Sequence, residues 1–153
     1  MLELKKPKFN ELTYRQHLLK DKPTMSFNSS NGGTVDFSKK LWKQWYELWM
    51  NSDDHFYAYI YDQKLNQYIG EVSYYFETEY NEFVLNIIIE AKFRKHGKGK
   101  EAISLLCQKA KENGIRFLCD DIDIHNPAIN MFKQLGFKET WQRGHIIMLK
   151  KRL

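Results

Sequence analysis

The middle of the chain alternates apolar and polar positions in the way that β-strands do. Residues 55–62, 67–77 and 82–90 are rich in Tyr, Phe, Val and Ile, and short polar stretches separate them. β-Branched and aromatic residues favour strands, and connections of a few residues favour antiparallel neighbours. These three segments therefore predict an antiparallel meander.

Helical periodicity surrounds this meander. In residues 11–21, 37–51 and 102–114, apolar side chains recur every three or four positions, which predicts amphipathic helices. A polar, glycine-containing loop joins the first two of these helices. The second helix carries three tryptophans, for which core packing and the wall of an acceptor pocket are both open interpretations.

The last part of the chain continues as a strand, a helix and two strands. Residues 115–125 predict a strand, and residues 137–142 and 145–150 predict the final pair. Between them, Asn126 followed by Pro127 is typical of a helix start, with Asn as the N-cap and Pro in the first turn. The meander's third strand, the helix after it and the next strand have the order of a parallel crossover.

Length and composition agree with a folded domain. Residues 1–153 are expected to form a single α/β domain of the α+β type with a mixed, mostly antiparallel sheet. A hydrophobic content of 42% and an aromatic content of 15% are typical of globular chains and argue against disorder. A net charge of +5 favours an anionic ligand and leaves nucleic acid open as a partner.

Several absences in the sequence point to a cytoplasmic protein. No segment has the roughly 20 apolar residues of a membrane helix, and the first residues lack the apolar region of a signal peptide. Cys107 and Cys119 lie in apolar surroundings, so two unpaired, buried thiols are predicted, with a disulfide as the alternative. We therefore expect a cytoplasmic location and no membrane partner.

Chemistry is concentrated in the sequence FRKHGKGKEAI, residues 93–103, which follows the third strand of the meander. A glycine-containing loop that enters a helix presents unpaired backbone N–H groups and the positive end of the helix dipole. Glycine lets an anion approach the backbone closely, and the surrounding lysines and arginine add positive charge. The expected ligand therefore carries several phosphates.

Three general interpretations of this loop differ in how well they fit. A nucleoside-triphosphate P-loop fails, because Lys100 is followed by Glu101 instead of Ser or Thr. A dinucleotide fingerprint matches the glycine spacing but not the antiparallel strands before it. Nucleic-acid binding stays open, although the acidic strand 115–125 would repel phosphates and no known binding motif is present.

Residues 94–99, RKHGKG, resemble the Q/R-x-x-G-x-G/A loop of the GCN5-related N-acetyltransferases, the GNAT superfamily. The strand before the loop, the strand after its helix and the stretch NPAINMFKQLGF over 126–137 are also similar to that family in order. The resemblance covers nearly the whole chain. It implies the GNAT fold, in which the sheet splays between the fourth and fifth strands and is flanked by helices.

The resemblance also implies acetyl-CoA as cosubstrate, and it implies no metal. Strand backbone would bind the pantetheine arm, the loop amides would hold the pyrophosphate, and an Asn at the next helix would contact the cofactor. Arg94 would touch phosphate or position the loop. By position, the implied cofactor-binding residues are Ile87, Ile88, Ile89, Arg94, Lys95, His96, Gly97, Lys98, Gly99, Lys100 and Asn126.

The reaction implied is acetyl transfer to a primary amine of a small molecule or peptide, by direct attack in a ternary complex. Glu71 and Glu90 are the candidate bases. Phe132 stands where the family usually has a proton-donating tyrosine, so the proton donor is left open. The alternative function is a non-catalytic CoA-binding or nucleic-acid-binding module, and a homodimer is one open assembly state.

The acceptor side is less defined by the resemblance. The first two helices and the loop 29–36 would form its wall. Asp120, Asp121 and Asp123 form an acidic group that would attract a cationic amine or simply be solvated, and a metal site with His125 is a weaker interpretation.

Overall fold

A seven-stranded sheet runs through the molecule in the order β1-β2-β3-β4-β5-β7-β6. The computed structural model describes the backbone of residues 1–153 and the side chains of all of these except 29–31. In chain order, the elements are β1 (Leu2–Lys5), α1 (Leu12–Lys20), α2 (Trp42–Asn51), β2 (His55–Asp62), β3 (Gln67–Glu77), β4 (Glu82–Ile89), α3 (Lys98–Glu112), β5 (Phe117–Asp123), α4 (Ile129–Gln134), β6 (Lys138–Arg143) and β7 (Ile146–Arg152).

The sheet has one parallel contact, between β4 and β5, and antiparallel contacts elsewhere. Strand β4 pairs with β3 along its whole length, but its register with β5 is limited to Val84 opposite Cys119. Beyond that pair the two strands separate, which leaves the β5-facing edge of β4 without a strand partner in the described part of the chain. The predicted splay between the fourth and fifth strands is therefore confirmed.

Alternation along the strands gives the sheet two differently covered faces. One face packs on α3 through the main core, which includes Val72, Leu85 and Leu106. The other face lies under α1 and α2, where Leu18, Trp42 and other apolar side chains form a second core. From Glu71 onwards, the odd-numbered positions of β3 point to this second face, because the even-numbered Val72 and Tyr74 belong to the main core.

Both cysteines are free and buried, which confirms the prediction of two unpaired thiols. None of the helices in the described residues has both the length and the apolar character needed to cross a membrane.

The two helices of the C-terminal half start at different positions from those that the sequence predicts. Helix α3 begins at Lys98, directly after the left-handed Gly97 (φ 72°), and so includes one turn before its apolar stripe starts. Helix α4 begins at Ile129 instead of Pro127. Asn126 still caps the turn that leads into α4, since its Oδ1 accepts a 2.8 Å hydrogen bond from the Ala128 amide.

Candidate active site

The loop between β4 and α3 is shaped by two left-handed residues. Lys95 has φ 73° and Gly97 has φ 72°. A positive φ is uncommon for lysine, and such backbone strain tends to occur at functional sites. A Cβ atom added at Gly97 would meet nothing within 4 Å, so the space beyond this residue, at the N-terminus of the 15-residue helix α3, is open. This is the arrangement that binds anions at helix N-termini.

Arg94 connects the loop to the end of β4 and to the segment after α1. Its Nε donates to the Ile89 carbonyl oxygen at 2.9 Å, and its Nη2 donates to the Thr24 carbonyl oxygen at 2.8 Å. Burial lowers the pKa of the guanidinium from its ordinary value, and the charge of Asp21 partly offsets this effect. Of the two roles expected for Arg94, these contacts are those of a residue that positions the loop.

Thr24 is a buried residue that the sequence did not single out. Its hydroxyl donates to the Asp21 carboxylate and accepts a 3.0 Å hydrogen bond from the Ala91 amide. Together with the bond from Arg94, this ties the segment after α1 to the start of the loop. No local motif marks this role of Thr24, because Ala91 and Arg94, its partners in the loop, lie far away in sequence.

The basic side chains of the loop have different surroundings. The ammonium group of Lys98 lies 2.5 Å from Asp62 Oδ2 in β2, and this hydrogen bond lowers the pKa of Asp62. Lys95, His96 and Lys100 are exposed around the open N-terminus of α3, and Lys100 reaches Gln134 at 3.3 Å. Charge for an anion at this point therefore comes mainly from the exposed side chains and the helix terminus.

The end of β4, the loop and α4 come together at the splayed side of the sheet. A Cβ at Gly99 would lie 3.4 Å from Met131 Sδ and 3.8 Å from Ile89 Cδ1. Ile87, Ile88 and Ile89 are paired with β3 on one edge only. The structure thus brings the end of β4 and the start of α3 together, and Asn126 follows β5, the strand that diverges from β4.

A cavity of about 320 Å³ lies at the base of the splay, under α1 and α2. Trp45 and Trp49 of α2 and Tyr75 of β3 line it, while Trp42 is buried in the second core. Core packing is therefore confirmed for Trp42, and the acceptor wall stays a prediction for Trp45 and Trp49. Of the predicted acceptor wall, the side chains of residues 29–31 lie outside the described part of the structure.

Glu71 points into this cavity but is already engaged. Its carboxylate lies 2.6 Å from Arg15 Nη1 and accepts a hydrogen bond from the Tyr57 hydroxyl. Burial alone would lower the pKa of Arg15, but the charges and hydrogen bonds of Glu71 and Tyr57 together outweigh it and raise that pKa above its ordinary value. The guanidinium also lies 4.6 Å from the centre of the Trp45 ring of α2. The ion pair of Arg15 with Glu71 therefore connects α1 to the sheet.

Glu90 lies in a different cavity, of about 490 Å³, next to the start of the loop. The Tyr14 hydroxyl donates to Glu90 Oε2 at 2.7 Å, and His17 Nε2 lies 3.4 Å from Oε1. Burial and this hydrogen bond raise the pKa of Tyr14 above its ordinary value. The two candidate bases are therefore not brought together, and each has hydrogen-bond partners of its own.

The three aspartates of β5 separate in the structure. Asp120 is half-buried and lines the cavity at the base of the splay. Asp121 is exposed and accepts a 3.0 Å hydrogen bond from the Tyr80 hydroxyl, and the exposed Asp123 accepts one from the His125 amide. Among the described residues, no group of three His, Cys, Asp or Glu side chains could hold a metal ion.

Phe132 is almost fully buried and packs edge-on against Phe137, with ring centres 5.1 Å apart. It is part of the main core, and its ring has no proton to give. A proton donor for a leaving group at the splay must come from elsewhere.

A mixed sheet that opens between its fourth and fifth strands, beside a glycine-containing helix N-terminus, is the architecture of an acyl-CoA-dependent transferase. The family model described as the acetyltransferase (GNAT) family matches residues 16–137. The chain belongs to this family, and proteins of the family use acetyl-CoA. No curated protein sequence matches the chain.

Solved structures show the same fold at low sequence identity. An acetyltransferase of the GNAT family from Streptococcus pneumoniae superposes with a TM-score of 0.78 at 15% identity, over 100% of both chains. PaiA N-acetyltransferase from Thermoplasma acidophilum, solved with coenzyme A, has a TM-score of 0.72 at 13% identity and covers 100% of this chain and 99% of its own. A phosphinothricin acetyltransferase from Sinorhizobium meliloti, solved with acetyl-CoA, has a TM-score of 0.75 at 15% identity, over 99% of this chain and 88% of its own.

Proposed function

We propose that this protein is an N-acetyltransferase that moves the acetyl group of acetyl-CoA to a primary amine of a small molecule or peptide. One observation carries the proposal. The cleft between β4 and β5 begins at the open N-terminus of α3 and ends at the 320 Å³ cavity under α1 and α2. A polyphosphate ligand bound at one end would therefore place its other end beside a separate pocket for an acceptor.

The cleft residues suit this ligand. Backbone N–H groups at 95–100 would bind the pyrophosphate, and the free edge of Ile87, Ile88 and Ile89 would bind the extended arm as a strand does. A backbone N–H of the same strand would stabilise the charge that develops on the thioester oxygen. Arg94 would act by fixing the loop, and Lys98 by fixing α3 to β2 through Asp62.

The reaction would proceed by direct attack of the amine on the thioester in a ternary complex, because the two ligands enter from opposite ends of one cleft. Glu71 and Glu90 remain candidate bases by sequence. Their hydrogen bonds to Tyr57 and Tyr14, and the ion pair of Glu71 with Arg15, occupy lone pairs that a base needs free. The cytoplasmic location, a homodimer and the lack of nucleic-acid binding remain predictions.

Thermal unfolding with and without acetyl-CoA tests the binding half of the proposal. A ligand at 100 times its dissociation constant stabilises a protein by about 2.7 kcal/mol, which is about 5–11 °C in Tm for a domain of this size. Gly97→Asp places a carboxylate in the open space at α3 and should remove this shift. Gly144→Asp is the matched control, since Gly144 is also left-handed (φ 58°) with nothing near its Cβ position.

Release of free CoA thiol across a panel of amines tests the transfer half. Amine-dependent release by the wild type, and none by Gly97→Asp at the same acetyl-CoA concentration, is the expected result. Stabilisation by acetyl-CoA without release by any amine would instead favour a non-catalytic CoA-binding module. No stabilisation, together with tight and salt-sensitive binding of nucleic acid, would favour the nucleic-acid alternative.

A further inference from the structure

We propose that Asp120 is the proton-transfer residue of the acetyl transfer, an inference that rests on the proposed function. Its carboxylate accepts the proton of the attacking amine nitrogen and passes that proton to the thiolate sulfur that leaves. This assigns both proton-transfer roles to one residue of β5 and to neither Glu71 nor Glu90.

The register of the sheet places Asp120 where the reacting atoms would meet. Cys119 is the residue of β5 that faces Val84 of β4, and Asp120 is the next residue along. Asp120 lines the cavity at the base of the splay together with Leu85 and Asn86, the first residues of β4 beyond the paired position. The cofactor cleft and the acceptor cavity join at this point.

The position of Asp120 in β5 is one that stability alone would give to an apolar residue. Leu118 and Ile122 occupy the alternate positions on the same face of β5, and both are buried in the main core. The register partner of Asp120 in β7 is Leu149, also buried. A carboxylate in such surroundings costs free energy, and proteins tolerate that cost mainly where the group has a function.

Asp120 is also the least engaged carboxylate of the cavity. No hydrogen bond from a described residue acts on it, and burial together with the Asp121 charge raises its pKa well above the ordinary value. Glu71 differs, since Arg15 and Tyr57 hold it. A free lone pair and a raised pKa are what a proton-transfer group needs near neutral pH.

The proposed step balances. The nitrogen of the neutral amine forms a bond to the thioester carbon, and its N–H proton moves to an oxygen of Asp120. The C–S bond breaks with its electron pair on sulfur, and the Asp120 carboxylic acid protonates that thiolate. The products are the amide and the free thiol, and Asp120 returns to its starting form. The buried Phe132, which has no proton to donate, is then not required.

The test compares Asp120→Asn with the wild type in amine-dependent CoA release. We expect kcat to fall by about 10²–10⁴-fold, the usual contribution of a general acid–base group, while KM for acetyl-CoA and its thermal shift stay unchanged. Asp120→Glu should recover part of the rate, because it keeps a carboxylate. The exposed Asp123 supplies the matched control, Asp123→Asn, on the same strand.

The pH dependence gives a readout that a structural role would not change. The acidic limb of the kcat profile should be present in the wild type and lost in Asp120→Asn. Variants of the other titratable groups that line the cavity must show that none of them causes this acidic limb. Among the described residues these are Arg15 from α1, Tyr57 from β2, Glu71 and Tyr75 from β3, and Asp121 from β5.

Stability distinguishes loss of chemistry from loss of folding. The folded wild type binds the Asp120 proton more tightly than the unfolded chain, so its stability falls as pH rises from the unfolded pKa of about 3.9 through the raised folded value. Asn does not titrate and lacks this loss. The Tm of Asp120→Asn should therefore equal or exceed that of the wild type at neutral pH.

Three outcomes would overturn the assignment. Full activity and an unchanged pH profile in Asp120→Asn would do so directly. A large loss of kcat in Asp121→Asn, Glu71→Gln or Glu90→Gln with Tm unchanged, and none in Asp120→Asn, would move the role to another carboxylate. A wild type that binds acetyl-CoA but transfers to no amine would contradict the proposed function itself, and the assignment with it.

Discussion

The ion pair between Arg15 and Glu71 allows a sharp test of whether this glutamate is structural or catalytic. Glu71→Gln keeps the shape of the side chain and its ability to accept from Tyr57, but it removes the negative charge 2.6 Å from the guanidinium. Arg15 is then left buried beside aromatic rings without a counter-charge. We expect the folded state to lose stability for this reason alone.

The magnitude follows from the burial of the pair. The side chains of Arg15 and Glu71 are 16% and 4% exposed, so the pair is well removed from water. Breaking a buried pair by removing one partner costs about 3–5 kcal/mol, and the partial exposure of Arg15 favours the lower end. A loss of about 3 kcal/mol corresponds to a fall of about 6–12 °C in Tm for a domain of this size.

Urea and thermal unfolding of a double-mutant cycle measure this effect. Arg15→Met and Glu71→Gln should each destabilise the protein, and the double variant should recover much of the loss, with a coupling of about 2 kcal/mol. Glu47→Gln, at an exposed position of α2, should change stability by less than about 0.5 kcal/mol. If Glu71→Gln kept the wild-type Tm and abolished CoA release, Glu71 would be catalytic and the structural argument wrong.

Two further predictions concern the core. Gly70→Ala would place a Cβ 2.2 Å from the Ile88 carbonyl oxygen, so β4 must move away from β3. We expect the free energy of unfolding in urea to fall by about 1–3 kcal/mol and acetyl-CoA to bind more weakly. An unchanged midpoint of urea unfolding would contradict this expectation. Burial raises the pKa of Cys107 to about 11 and that of Cys119 to about 12. At pH 8 the folded protein should therefore react slowly with an aromatic disulfide reagent and the urea-unfolded protein quickly, whereas rapid reaction of the folded protein would show that the thiols are accessible.

Local patterns predicted the elements of this fold well, and long-range contacts explain what they missed. Strand alternation, helical periodicity and the loop over 93–103 depend on neighbours in sequence, so they could be read directly. The engagement of Lys98 by Asp62, and of Arg94 by Thr24, joins residues far apart in the chain. From the sequence alone, every lysine and arginine of the loop could bind phosphate. In the structure, Lys98 and Arg94 instead bind other parts of the chain.

The same distinction applies to the acidic residues of β5. Sequence places Asp120 and Asp121 side by side, and only the strand geometry gives them different surroundings. Both line the cavity at the base of the splay, but Asp121 is exposed and accepts a hydrogen bond from Tyr80, whereas Asp120 is half-buried beside apolar neighbours. Glu71 and Glu90 were the candidate bases by sequence, but Tyr57 and Tyr14, which are distant from them along the chain, donate hydrogen bonds to their carboxylates. Identifying a free carboxylate therefore requires knowing its partners, which spacing along the chain does not contain.

The distribution of charge along the cleft links the proposed cofactor to the proposed acceptor. Exposed basic groups and the N-terminus of α3 lie at one end, while Asp120 and Asp121 line the cavity at the other, where the charge of Glu71 is already matched by Arg15. A polyanion is thus drawn to one end and a cationic amine to the other. An amine attracted as an ammonium loses one proton to solvent before it can attack, and the neutral nitrogen loses a second proton as its bond to the thioester carbon forms, so the pocket needs an acceptor for that second proton. Asp120 meets that need because it is the carboxylate of the cavity to which no described residue donates a hydrogen bond.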